Sequence, residues 1–278
     1  MRMMKIVADS SANVRKTANA AFASAPLKVI TSGKEFVDND QLDVKDMVEY
    51  FDHYKGKSQT SCPNSSDWLE AFGDADDIFC VTITSALSGS YNAACVAKQM
   101  LESEYPNKRV FVIDSLSAGP EMQLIVDQID EWIAQGCSYE QICRAVDDYT
   151  KQTGLLFVLE SLKNFAANGR VSPVVAKVVG ILGIRVVGRA SQRGELEPLH
   201  KCRGESKSLD AVVSCLKEAG VSGGRVLIAH CENEVAALHL KSRIGERLPN
   251  ARVEISACGG LCSYYAEKGG LLIGFEKM

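Results

Sequence analysis

Short apolar runs alternate along the chain with stretches of helical period, beginning with Met4-Lys5-Ile6-Val7-Ala8, which predicts a strand ending at Asp9-Ser10-Ser11. Asp43 precedes Val44, Met47, Val48 and Phe51, an i, i+3, i+4, i+7 set, so a helix capped by Asp43 is expected, with Lys55-Gly56-Lys57 ending it. After a loop carrying Thr60, the segment Asn64 to Ser66 can cap a short helix bearing Trp68, Leu69 and Phe72. A strand from Ile78 to Thr84 then runs into a helix reaching Leu101, and Arg109 to Asp114 reads as another buried strand. Helices from Glu121 to Ala134 and from Tyr139 to Lys151 complete this half. Strands separated by helices of this length predict a parallel, Rossmann-like sheet. Ligands of such sheets sit at the carboxyl ends of the strands, where Asp9, Thr84 and Asp114 fall.

The pattern then changes. Leu155 to Glu160 reads as a strand, Asn168-Gly169-Arg170 as a turn, and Val174, Val175, Val178, Val179 and Ile181 as one helical face. Gln192-Arg193-Gly194 separates Gly183 to Val187 from Glu195 to Cys202 and predicts a hairpin, with Gly194 supplying the turn. A helix from Ser208 ends at Gly220. Strands at Val226 to Ala229, Val253 to Ala257 and Leu271 to Phe275 surround a helix from Val235 to Leu248. The expectation is a two-domain α/β chain: a parallel-sheet domain over 1–153 and a mixed or antiparallel α+β domain over 154–278.

Composition narrows the function. The chain has 278 residues, 46% of them hydrophobic, and a net charge of -4, which gives no basic excess for nucleic acid or an anionic membrane surface. No apolar stretch of signal-peptide or membrane-spanning length is seen, so a cytoplasmic protein without stable membrane insertion is expected. The ten cysteines contain no C-x-x-C pair, and His53, His200, His230 and His239 make no zinc-like spacing with them. Reduced thiols, no metal and no cofactor are the resulting expectations.

Two hydroxyl-rich segments are the candidate chemistry: Thr60-Ser61-Cys62-Pro63, and Thr84-Ser85-Ala86-Leu87-Ser88-Gly89-Ser90-Tyr91 between a strand and a helix. Hydroxyls and free N–H groups at a helix N-terminus favour negative charge. No general base stands near Ser88 in the sequence, so holding an anionic group is favoured over transforming it. Simpler readings compete: serines after a strand also cap helices, Thr-Ser-x-Pro also builds turns, and arginines are commonly solvated. Cys258 to Cys262 reads as a tight turn of small side chains, and Trp68 with Phe72 as core that could also line an apolar path.

The order of these pieces resembles the DegV proteins, also called FakB-type fatty-acid-binding proteins. The resemblance runs through Asp9-Ser10, Thr60-Ser61-x-Pro63, Leu87-Ser88-Gly89-Ser90-Tyr91, Asp114-Ser115, Leu159-Glu160-Ser161-Leu162, Gly169-Arg170-Val171-Ser172 and Gly183-Ile184. It implies a two-domain α/β fold holding one long-chain fatty acid, which a separate fatty-acid kinase phosphorylates on its carboxylate. By motif, Thr60 and Ser88 match the hydroxyls that bond the carboxylate, with Ser61 and Gly89 beside them. Arg203 matches the arginine implicated in working with the kinase and Arg170 that of the glycine-arginine turn, and the resemblance makes both candidates for binding the partner. The family's C-terminal histidine stretch corresponds here to Ala257-Cys258-Gly259-Gly260-Leu261-Cys262, and no histidine follows His239. The alternative function is an enzyme using Ser88 on a small anionic or acyl substrate, with His230 or Asp114 brought to it by the fold. A regulatory protein without ligand would have no tunnel.

Overall fold

The computed structural model describes residues 2–171 and 183–277; the helical face expected at Val174 to Ile181 lies outside the described residues. The first half contains strands β1 (Met4–Asp9), β2 (Ala21–Ala25), β3 (Lys28–Thr31), β4 (Glu35–Val37), β5 (Ser58–Ser61), β6 (Asp77–Thr82) and β7 (Arg109–Asp114). Its helices are α1 (Val44–His53), α2 (Ser65–Phe72), α3 (Ser90–Glu104), α4 (Pro120–Ala134) and α5 (Tyr139–Tyr149). The second half has β8 (Thr153–Leu159), β9 (Ile184–Ala190), β10 (Leu196–Arg203), β11 (Arg225–His230), β12 (Arg252–Ala257) and β13 (Leu271–Glu276). Its described helices are α6 (Lys163–Ala167), α7 (Glu205–Glu218), α8 (Glu234–Arg247) and α9 (Gly260–Ala266).

Strands β2-β1-β6-β7 form a wholly parallel sheet, as the alternation of strands and helices predicts. All six residues of β6 are buried, which suits a strand covered by helices on both faces. Ile6, Phe79 and Val81 meet Met122, Ile125 and Ile129 of α4 on one side, and Val7, Ile78 and Cys80 meet Trp68, Phe72 and Ala97 on the other. Trp68 and Phe72 are therefore core. Asp43 caps α1 by accepting the Asp46 N–H, and Asn64 makes a reciprocal capping box with Asp67 on α2.

The small antiparallel sheet β4-β3-β5 is absent from the sequence reading, and it corrects the placing of Thr60 in a loop. Thr60 lies in β5, paired in register with Val29. Its strands are three or four residues long, too short for period-two alternation to announce them.

The second half is a mixed sheet, β10-β9-β8-β13-β11-β12, in which only β11 and β12 run parallel. The hairpin turns at Gly194, whose φ of 75° is easy only for glycine. Helices α7 and α8 cover one face with Leu209, Val212, Leu216, Leu240 and Ile244. On the other face α4 arrives from the first half. Gly274 of β13 makes room for it: a Cβ there would lie 2.5 Å from the Pro120 carbonyl carbon and 2.6 Å from the Glu121 nitrogen.

Arg225 joins the halves electrostatically, bonding Glu276 at 3.0 Å and lying 3.7 Å from Asp127 of α4. Burial holds the Asp127 carboxyl above the ordinary range, at about 6, against the pull of Arg225. A raised acid pKa means that the folded chain binds a proton which the unfolded chain has already released between pH of roughly 4 and 6. Stability from this group therefore falls as pH rises through that window and is level above it. Asp127→Asn is expected to be the more stable protein at pH 7.5, by less than about 1 kcal/mol because water screens a side chain that is 36% exposed. Calorimetry should find that advantage gone at pH 4.

Candidate functional site

Three strand ends hold the loop between β6 and α3. Asp9, 1% exposed at the end of β1, accepts the Ile83 N–H at 2.8 Å, the Ser90 hydroxyl at 2.7 Å and the Ser11 N–H at 3.2 Å, and also the Ser11 hydroxyl. Burial raises its pKa, and these donors work in the opposite direction. Asp114, at the end of β7, accepts the N–H groups of Ser85 and Leu116, each at 3.1 Å. Thr84 N–H donates to the Ser117 carbonyl at 2.9 Å, and the Thr84 hydroxyl donates to the Gly194 carbonyl at 3.0 Å. The β9–β10 hairpin of the second half is thereby tied to the loop.

Ser88 sits where this loop enters α3. Its Oγ accepts the Ser90 N–H at 3.3 Å, which leaves its own hydrogen to donate elsewhere. The first turn of α3 has no acidic side chain and its N-cap, Gly89, makes no side-chain bond, so the N–H groups beyond Ser90 keep their preference for an anion. Gly89 abuts the other hydroxyl-rich segment: a Cβ there would stand 3.3 Å from Cys62 Sγ. The fold thus brings together Thr60-Ser61-Cys62, which precedes α2, and Ser88-Gly89, which follows β6.

Both segments line one cavity of about 310 Å³. Thr60, Ser61, Thr84, Ser88 and Arg170 supply polar groups to its wall, while Leu155, Phe157, Leu159, Phe165, Leu196, Leu261 and Leu272 supply the apolar wall. The apolar part comes mainly from β8 and its neighbours, and the hydroxyls from the first half. An elongated apolar molecule with one anionic end has the matching chemistry.

The turn Asn168-Gly169-Arg170 fastens both hydroxyl segments. Asn168 Oδ1 accepts the Thr60 N–H at 3.1 Å, and Arg170 Nε donates to the Leu87 carbonyl at 2.9 Å. Arg170 also donates to the Asn168 carbonyl. Arg170 lines the cavity, so an arginine does stand at the polar site, where sequence alone offered only neutral donors. Arg203 lies elsewhere. It is exposed at the end of β10, opposite Ile184, and is not a lining residue.

Sequence reasoning missed Tyr265. Its hydroxyl lies 2.7 Å from Thr60 Oγ1, and its ring, 4.6 Å from that of Phe165, forms part of the cavity wall. Burial raises the phenol's pKa and keeps the proton on oxygen. Two consecutive tyrosines, Tyr264 and Tyr265, soon after a glycine pair were the available signal. The surrounding segment also corrects an expectation: Cys258 to Cys262 leads into helix α9 instead of forming a tight turn. Asp38 accepts the N–H groups of Gly260 and Leu261, each at 2.9 Å, and Asn13 accepts that of Gly259 at 2.9 Å. A Cβ on Gly260 would stand 2.8 Å from Asp38 Oδ1, the oxygen that receives the Gly260 N–H, so any larger residue would push on the Asp38 carboxylate. Burial pushes the Cys258 and Cys262 thiols up, so they remain protonated and poorly nucleophilic.

Neither base considered for Ser88 lines the cavity among the described residues. Asp114 is engaged by backbone N–H groups, and His230 Nδ1 accepts the Asn233 N–H at 3.3 Å, with burial lowering its pKa. Among the described residues no cluster of three or more histidine, cysteine or acidic side chains could hold a metal ion, and no helix is long and apolar enough to cross a membrane.

Comparison with known proteins matches residues 3–277 to the family described as "Uncharacterised protein, DegV family". A DegV domain-containing protein of Streptococcus pneumoniae is 43% identical over 276 residues, 98% of each chain. A crystal structure of a DegV family protein from Eubacterium eligens loaded with heptadecanoic acid is similar at a TM-score of 0.96 and 43% identity, over 99% of this chain and 100% of that one. The Streptococcus pneumoniae Fatty Acid Kinase (Fak) B3 protein loaded with linoleic acid is similar at a TM-score of 0.97 and 42% identity, over the same shares.

Proposed function

The chain belongs to the DegV family, and on that premise we propose that it binds one long-chain fatty acid and presents the carboxylate to a separate fatty-acid kinase. The observation that carries this reading is a cavity whose wall combines hydroxyl groups of both candidate segments with leucine and phenylalanine side chains. In this reading Thr60 and Ser88 donate to the carboxylate, with Ser61 and Gly89 completing the polar end. The 1–153 unit supplies the head-group loops and the 154–278 unit most of the acyl path. Arg203, exposed on the edge strand, faces the kinase. Arg170 holds the Ser88 loop in shape at the mouth of the site.

The energetics favour a carrier. Each buried methylene contributes about 0.8 kcal/mol, so some fourteen of them give a gross gain on the order of 11 kcal/mol before ordering costs. A carboxylate buried without partners would cancel much of it, and hydroxyl donors make the head group tolerable. The chain itself performs no chemistry in this account: among the described residues Ser88 Oγ accepts the Ser90 N–H, and no hydrogen bond joins it to an imidazole or a carboxylate, that of Glu195 in the cavity wall included.

Mass spectrometry of an organic extract of native protein tests the proposal. It should find a long-chain acid at close to one per chain. Delipidated protein given acid at about a hundred times its Kd should gain about 2.7 kcal/mol, a Tm increase of about 5–10 °C. An empty extract together with an unmoved Tm would overturn the reading.

A further inference from the structure

The structure assigns Tyr265 as the positioning residue that turns the Thr60 hydroxyl toward the bound carboxylate. This rests on the fatty-acid reading above and deepens it.

Thr60 Oγ1 and the Tyr265 hydroxyl lie 2.7 Å apart. One hydrogen is shared between them, and the direction decides what the cavity receives. Either oxygen could donate across this distance, but a phenol is a far stronger acid than an aliphatic alcohol, so in this assignment the Tyr265 O–H donates and Thr60 Oγ1 accepts. Thr60 then keeps its own hydrogen for a ligand, and accepting from the phenol polarises that O–H further.

The tyrosine is itself held in place. Its ring stacks on Phe165 at 4.6 Å and 30°, and meets Tyr264 edge-on at 5.0 Å and 72°. Tyr264 is fixed in turn by Ser58 at 2.7 Å and by Asn168 Nδ2 at 3.0 Å. Asn168 also receives the Thr60 N–H, so backbone and side chain of Thr60 are both set by residues of the second half. With no histidine lining the cavity among the described residues, the head-group contacts carry no imidazole titration.

The test compares hexadecanoic acid with hexadecanol, which has the same chain and an uncharged head. Tyr265→Phe removes one oxygen atom, and losing support for a hydrogen bond to a charged group should cut the acid-over-alcohol affinity ratio about tenfold. Thr60→Val should lower the ratio at least as far, and the double variant no further than Thr60→Val alone, since Tyr265 acts through Thr60. Acid affinity of the parent protein should be level from pH 6 to 8.5, a measurement that needs no variant. A Tyr265→Phe ratio equal to the parent's, or losses that add in the double variant, would overturn the assignment. Parent protein that binds neither compound would instead sink the fatty-acid reading itself.

Discussion

Ala118→Trp is expected to abolish fatty-acid retention while leaving a folded protein. Ala118 lies between β7 and α4, is half-buried and forms part of the wall of the 310 Å³ cavity. A tryptophan side chain covers about 150–250 Å² when buried, so in this space it takes the place of much of an acyl chain. The tail provides nearly all of the binding energy in the proposed function, so displacing even half of its methylenes removes about 5 kcal/mol and more than a thousandfold in affinity. Organic extracts of the variant should contain little or no acid, and the acid-induced Tm increase should drop below about 1 °C. The free protein should melt close to its parent, because the indole fills space already lined with apolar groups. A variant that still carries a full equivalent of acid would place the acyl chain outside this cavity.

Asp9→Ala should be the most destabilising single change near the site. Its carboxylate satisfies Ile83 N–H, Ser11 N–H and the Ser90 hydroxyl in a position where water does not reach. Each buried donor left without a partner costs about 1–3 kcal/mol, so a loss of about 3–5 kcal/mol is expected, or roughly 6–20 °C in Tm. Asp9→Asn retains one acceptor oxygen and should lose about half as much. Denaturant unfolding measures both. Because the same contacts set the Ser88 loop, acid affinity should fall along with stability, and Asp9→Ala with parental stability would show that the loop is held by other means.

Much of this fold was legible in the sequence where residues repeat at a regular period. The strand at Arg109 to Asp114 appears with its expected limits, and Asp43, Asn64 and Gly220 mark helix ends where capping chemistry places them. The short sheet around Thr60 was not legible, because three or four residues cannot display a period and the pairing partners lie about thirty positions away. Helix α9 was hidden for another reason. Its start is stabilised by Asp38, a residue more than two hundred positions distant, instead of by a local cap. The hydroxyls around Ser88 could be picked out because they follow a strand and precede a helix. Tyr265 and Asn168 could not, since their importance comes from contacts made across the chain.

Helix α9 has a consequence for biosynthesis. Leu261 and Tyr264 pack into the core built around β1, and Asp38 is already waiting to receive the helix's first N–H groups. A nascent chain that has emerged from the ribosome only as far as β7 therefore has an open seam. Its earliest strands can pair, but the core cannot be sealed until Tyr264 has been translated and has folded back.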